Sequence, residues 1–169
     1  MKQVEIEEAL KLRYPEIVAN IVTKSLDGKI DITPIGWLSP VSLDPPTWAI
    51  CLDKEHFSRK AILETKEFTL CLPSAKQKED VLFCGAHSGW DTDKLTQTKF
   101  KTLPAEKVST PLLDDSLACF ECKLIDTKEN SDVTIFFGEI VAAHISGEKR
   151  GLANLGPKDL IEIERGTKS

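Results

Sequence analysis

The sequence predicts a mainly β protein, a small barrel of about six strands carrying short helical inserts. Three patterns support that reading. Short runs rich in β-branched residues recur between turn signals, two long strand-like segments lie in the C-terminal half, and only two stretches space their apolar residues as helices do.

Ile17 to Lys24 is the first such run, closed by the tight-turn signal Ser25-Leu26-Asp27-Gly28. Ile30 to Trp37 and Thr47 to Leu52 read as two further strands. Between them, Leu38 to Pro46 contains Pro40, Pro45 and Pro46, which predicts a stiff loop of one shape. Phe57 to Thr65 places Phe57, Ala61 and Ile62 near helical spacing, with Ser58 positioned to cap the first turn. Phe68 to Leu72 is a strand ended by Pro73, and Lys76 to Cys84 is a second short helix with Val81 and Leu82 inward. A loop follows from Gly85 to Leu95, then a surface excursion from Lys99 to Leu113. Leu117 to Ile125 and Val133 to Ile145 are the longest strands, joined by the polar turn Asp126 to Asp132, and Leu160 to Glu164 alternates as a last strand. Beyond Arg165 a loose tail is expected.

Bulk properties narrow the function classes. At 169 residues the chain has the length of one domain, and 41% hydrophobic with 29% charged residues is a globular rather than a disordered composition. The net charge of -5, without a basic stripe, argues against nucleic acid as a partner. The N-terminal segment MKQVEIEEALKLRYPEIVANIV has acidic residues where a signal peptide needs an apolar core, and no apolar run reaches bilayer length. A cytoplasmic chain that does not engage a membrane is therefore expected. Five cysteines, an odd number, point to reduced thiols rather than a disulfide framework.

Cys119 and Cys122 form a C-x-x-C, but inside a strand, where residues three apart face opposite ways and do not easily converge on a metal or each other, which favours a structural pair over a zinc or redox one. His56, His87 and His144 lack metal-site spacing, and neither a G-x-G-x-x-G nor a Walker pattern occurs. Three features suit a phosphorylated aromatic ligand. The helix start at Ser58 joins free amides to a hydroxyl and two cations, Arg59 and Lys60; the bland alternative is a solvated helix end. Trp37 to Ser42 could present backbone amides and a tryptophan wall to a flat ring, with a core tryptophan as the alternative. Cys84 to Lys94 has two glycines and a closing lysine, and an ordinary surface turn would look similar.

Taken in order, DGKIDITPIGWLSPVSLDPPTWAICLD, HFSRKAILETKEFTLCLP, FCGAHSGWDTDK and FFGEIVAAHI resemble the flavin reductase-like FMN-binding family, nearest its flavoredoxin-like branch, over Pro15 to Ser146. The resemblance implies a Greek-key split β-barrel and FMN as cofactor. It implies ring contacts from Trp37, Leu38, Ser39, Pro40, Val41 and Ser42, a phosphate site at Ser58, Arg59 and Lys60, a cofactor contact from Lys94, and a histidine, His144, directed toward the flavin. One position departs from the family, which usually has Asn where this chain has Asp31; a carboxylate there loses two donors and adds negative charge. The activity implied is NAD(P)H-dependent flavin reduction, with hydride passing to flavin N5, in a homodimer. The alternatives are a flavoredoxin-type electron carrier, holding FMN tightly and served by a redox protein, and a non-flavin binding or structural module on the same fold.

Overall fold

The computed structural model describes residues 1–156 and 159–164, so the tail expected after Arg165 lies outside the described residues. A short helix α1 (Ile6–Leu10) and a 3-10 turn (Lys11–Arg13) lead into β1 (Glu16–Ile17) and β2 (Ala19–Lys24). The turn signal then does what its residues dictate: Ser25 N donates to Lys29 O, Gly28 takes φ +89°, and the chain returns as β3 (Ile30–Ile35). There follow β4 (Leu38–Leu43), β5 (Pro46–Asp53), α2 (Phe57–Thr65), β6 (Glu67–Leu72), α3 (Lys78–Ala86), α4 (Lys94–Gln97), β7 (Thr102–Leu103) and β8 (Leu112–Leu113). The chain closes with β9 (Ala118–Glu129), β10 (Val133–Ile145), β11 (Arg150–Gly156) and β12 (Asp159–Glu164).

Seven strands form one antiparallel sheet in the order β3-β2-β6-β9-β10-β5-β4. Its two edges, β3 and β4, are consecutive in the chain and joined only by Gly36 and Trp37. Three Cα steps reach about 11 Å at most. A flat sheet would hold these edges about 29 Å apart, at about 4.8 Å per strand. The sheet therefore has to curl until its edges nearly meet, which makes a split barrel with its opening at Gly36 and Trp37. Two bulges in the β9–β10 ladder, with Ile125 the extra residue on β9 and Val141 the extra residue on β10, supply curvature. Gly138 also lets Phe68 lie against the strand, where a Cβ would fall 2.4 Å from the ring.

Ile21, Ile50, Leu52, Phe68, Leu70 and Phe136, all fully buried, fill the barrel interior. A second core, with Val22, Ile32, Cys71, Val81, Cys84 and Cys119, lies on the other face of the sheet under α3 and the excursion. Cys119 belongs to this outer core and Cys122 to the inner one, so the C-x-x-C pair is split between faces as alternation requires.

Several expected boundaries need correction. The stiff loop at Leu38 to Pro46 is instead edge strand β4 and a short turn containing a cis Asp44–Pro45 bond. Pro40 is tolerated because β4 pairs on one side only and a bulge after Pro40 skips the missing donor. The second helix begins at Lys78, after a 3-10 turn (Ala75–Gln77) closed by a Ser74–Gln77 capping box, and extends to Ala86. β9 runs on to Glu129, leaving a turn of three residues before β10. β11 was not anticipated; with β1 and β12 it forms a separate three-stranded sheet. No helix among the described residues is long and apolar enough to cross a membrane.

Phe136 makes the interior legible to experiment. Phe136→Ala is expected to cost about 3–5 kcal/mol through lost burial and the cavity left behind, measured as a lower denaturant midpoint at unchanged slope.

Candidate functional site

Asp31 and Lys94, both almost wholly buried, form an ion pair with Lys94 Nζ 2.9 Å from Asp31 Oδ1. Strand alternation puts Thr33 on the same face of β3 as Asp31, and its hydroxyl donates to Asp31 Oδ2 at 3.0 Å. From the first turn of α2, Ser58 donates to the same oxygen at 2.7 Å. Lys94 enters from the start of α4, where Asp93 accepts from Thr96 N as the cap, and donates also to Ile32 O at 2.7 Å. Gly89 closes the loop over the pair: a Cβ there would lie 2.5 Å from the Asp31 carboxylate. Burying two ions costs several kcal/mol each, so these hydrogen bonds are what allow the pair to exist and they fix β3, α2 and α4 in one register.

A groove of about 290 Å³ lies beside the pair, lined by Asp31, Thr33, His56, His87, Gly89 and Lys94. His56 is also a wall of a second groove, of about 320 Å³, lined by Arg13, Tyr14, Trp37, Cys51 and Val133. The two grooves share His56 as a wall, the first with polar walls from Asp31 and Lys94 and the second with aromatic walls from Tyr14 and Trp37, and together they are called the trench. Trp37 is 53% exposed, so it is not a core tryptophan. Burial holds the His56 imidazole below its ordinary pKa, and it is neutral at pH 7.

The remaining sequence-selected residues separate. Ser39, Pro40 and Val41 are exposed on β4, Leu38 packs against the inner core, and Ser42 is half-buried. β4 pairs only with β5, leaving its outer backbone edge open. Ser58 does not cap α2, whose N-cap is His56; it is buried on Asp31 instead. Arg59 turns to Thr134 at 2.8 Å and Glu129 at 3.2 Å, while Lys60 pairs with Glu64 at 3.7 Å and lies over Trp90. The three side chains expected to form a phosphate site thus take three separate sets of partners. His144 donates to Glu121 at 2.7 Å and lines a separate cavity that shares no residue with the trench. Thr33, His56 and Gly89 were missed; the strand period of two, which puts residue 33 on the face of Asp31, is the signal that could have found Thr33. Among the described residues no group of three metal-ligating side chains gathers.

Removing one member of the buried pair strands the other. Asp31→Asn is expected to lower stability by about 3–5 kcal/mol, and adding Lys94→Met to recover part of that loss, both read by chemical denaturation.

A family model described as the flavin reductase like domain matches residues 12–157. A protein of Pyrococcus abyssi is 28% identical over 135 residues, which is 80% of this chain and 77% of that protein. Among solved structures, an FMN-binding protein from Thermus thermophilus aligns with a TM-score of 0.85 at 20% identity, over 100% of this chain and 97% of that one. Flavoredoxin of Desulfovibrio vulgaris aligns at 0.83 and 21% identity, over 92% and 91%. These two structural likenesses carry the fold, which is the same split barrel. With the family model spanning nearly the whole described sheet, the chain belongs to the flavin reductase-like domain family, a family of flavin-related oxidoreductases.

Proposed function

We propose that the trench at the barrel opening binds FMN and that the protein is an NAD(P)H-dependent flavin reductase. The observation that supports this most is that two grooves, one with aromatic walls and one with polar walls, meet at the shared residue His56. Half-exposed Trp37 offers a face for a flat heteroaromatic ring, and the unpaired edge of β4 offers amides and carbonyls to its rim. Neutral His56 can donate or accept at the middle of the trench. Bound FMN would supply the two-electron chemistry, taking hydride at N5 from NADH or NADPH.

The charge at the polar end favours a reductase over a tight carrier. Asp31 balances Lys94, so the pair adds no net charge to the groove, and an FMN phosphate there relies on hydrogen bonds rather than on a free cation. Weak, exchangeable cofactor binding follows. The second reading, a flavoredoxin-type electron carrier with a redox protein as donor, is supported by the likeness to flavoredoxin. Exposed Val41 and Leu43 on the open edge of β4 support a homodimer in which a second copy covers that edge.

The test is the visible spectrum of the purified protein with FMN added, followed anaerobically by NADH and then NADPH. Bound-flavin bands that bleach with nicotinamide are expected. Flavin that stays oxidised until another reductant is supplied would favour the carrier, and a protein that never binds FMN would reduce the chain to a non-flavin module.

A further inference from the structure

Away from the trench, three chemically active side chains lie in one row across three adjacent strands. Cys71 on β6 is the direct cross-strand partner of Cys119 on β9, and Cys119 is the partner of His144 on β10. Direct partners share a face, so all three project into the outer core side of the sheet. The spacing of the two cysteines can be read from the ladder. Leu124 N donates to Lys66 O at 2.9 Å, one half of a hydrogen-bonded pair whose other amide, Lys66 N, closes α2 on Ile62 O, and the register runs without a break from there to Cys71 and Cys119. Alternation places the cysteines at a non-hydrogen-bonded position, where Cα atoms approach to about 4.5 Å. That falls inside the range of about 4.4–6.8 Å which a disulfide spans.

The same row has a route for a small oxidant. Cys119 and His144 are walls of a cavity of about 70 Å³ under Leu103, Leu113 and Ser146. That is room for about two water-sized molecules, at about 30 Å³ each. The His144 wall is fixed by Glu121, which is buried beside the row and accepts from His144 Nε2 at 2.7 Å and from the amides of Glu106, Lys107 and Val108 at 2.6–3.1 Å.

We propose that Cys71 and Cys119 form a thiol pair that hydrogen peroxide converts to a disulfide. The Cys119 sulfur attacks the peroxide, forming an S–O bond as the O–O bond breaks and water leaves; sulfur is oxidised and peroxide reduced. The Cys71 thiol then attacks the Cys119 sulfur, the S–S bond forms, and the S–O oxygen departs with the Cys71 proton as a second water. The electrostatics choose the order of attack. The neighbouring Cys71 thiol lowers the Cys119 pKa from its ordinary value against the effect of burial, and of the two cysteines only Cys119 is a wall of the cavity. Burial pushes the thiols of Cys51, Cys71, Cys84 and Cys122 up, that of Cys84 to about 12. All five cysteines are free thiols in the structure.

The experiment treats the intact protein with stoichiometric hydrogen peroxide, then unfolds it, alkylates remaining thiols and measures intact and peptide masses. Loss of two of the five thiols, a mass lower by two hydrogens, and a reducible peptide linking Cys71 to Cys119 are expected. Cys71→Ser is expected to stop at oxygen adducts on Cys119, and Cys122→Ser to leave the linkage unchanged. Five alkylatable thiols after treatment would overturn the proposal. So would oxidation confined to half-exposed Cys51, or a wild-type Cys119 that gains oxygen without closing on Cys71.

Discussion

The buried Asp31–Lys94 pair is the interaction on which the functional end of the molecule depends. Neither ion reaches solvent, so each is stable only while the other, together with Ser58, Thr33 and the Ile32 carbonyl, stays in place. Those groups come from β3, α2 and the start of α4, and the loop can close over them only because position 89 has no side chain. The polar wall of the trench is thus positioned by the same contacts that hold these elements together. An Asn at position 31 would leave the Lys94 charge unbalanced in the fold and available to a ligand, which links stability to anion affinity at one site.

A second constraint acts on the other end of the trench. Joining the outermost strands of a seven-stranded sheet through Gly36 and Trp37 forces the sheet to curl and places Trp37 at the opening. The aromatic wall is a consequence of barrel closure rather than an added feature. The row of Cys71, Cys119 and His144 belongs to a different part of the sheet, with its own cavity and its own buried carboxylate, Glu121. The two regions can therefore be altered separately.

Much of the fold was legible in the sequence where burial imposes a period. Val133–Ile145 and Phe57–Thr65 form with the expected bounds, because their apolar spacing matches one face of a strand or a helix. β4 was hidden by its prolines, which an edge strand tolerates and an inner strand does not. β11, Arg150–Gly156, was hidden by two glycines and the lack of a β-branched residue. Motif order singled out Asp31 and Lys94, which the fold pairs, and Trp37, which it leaves half-exposed. Ser58, Arg59 and Lys60 point about 100° apart on α2 and take different partners, Ser58 on Asp31, Arg59 on Thr134 and Glu129, and Lys60 on Glu64. His144 was placed correctly on its strand, but the face it shares is that of Cys119 and Glu121, not the trench.

The central claim is that the trench beside Trp37 is a flavin site, and it is tested most directly by titrating FMN fluorescence with the wild-type protein and with Trp37→Ala. Saturable quenching by the wild type, weakened at least several-fold by the substitution, is the result predicted for a ring stacked on that wall. Fluorescence that does not respond to the wild-type protein, or quenching identical in both, would contradict a flavin bound against Trp37.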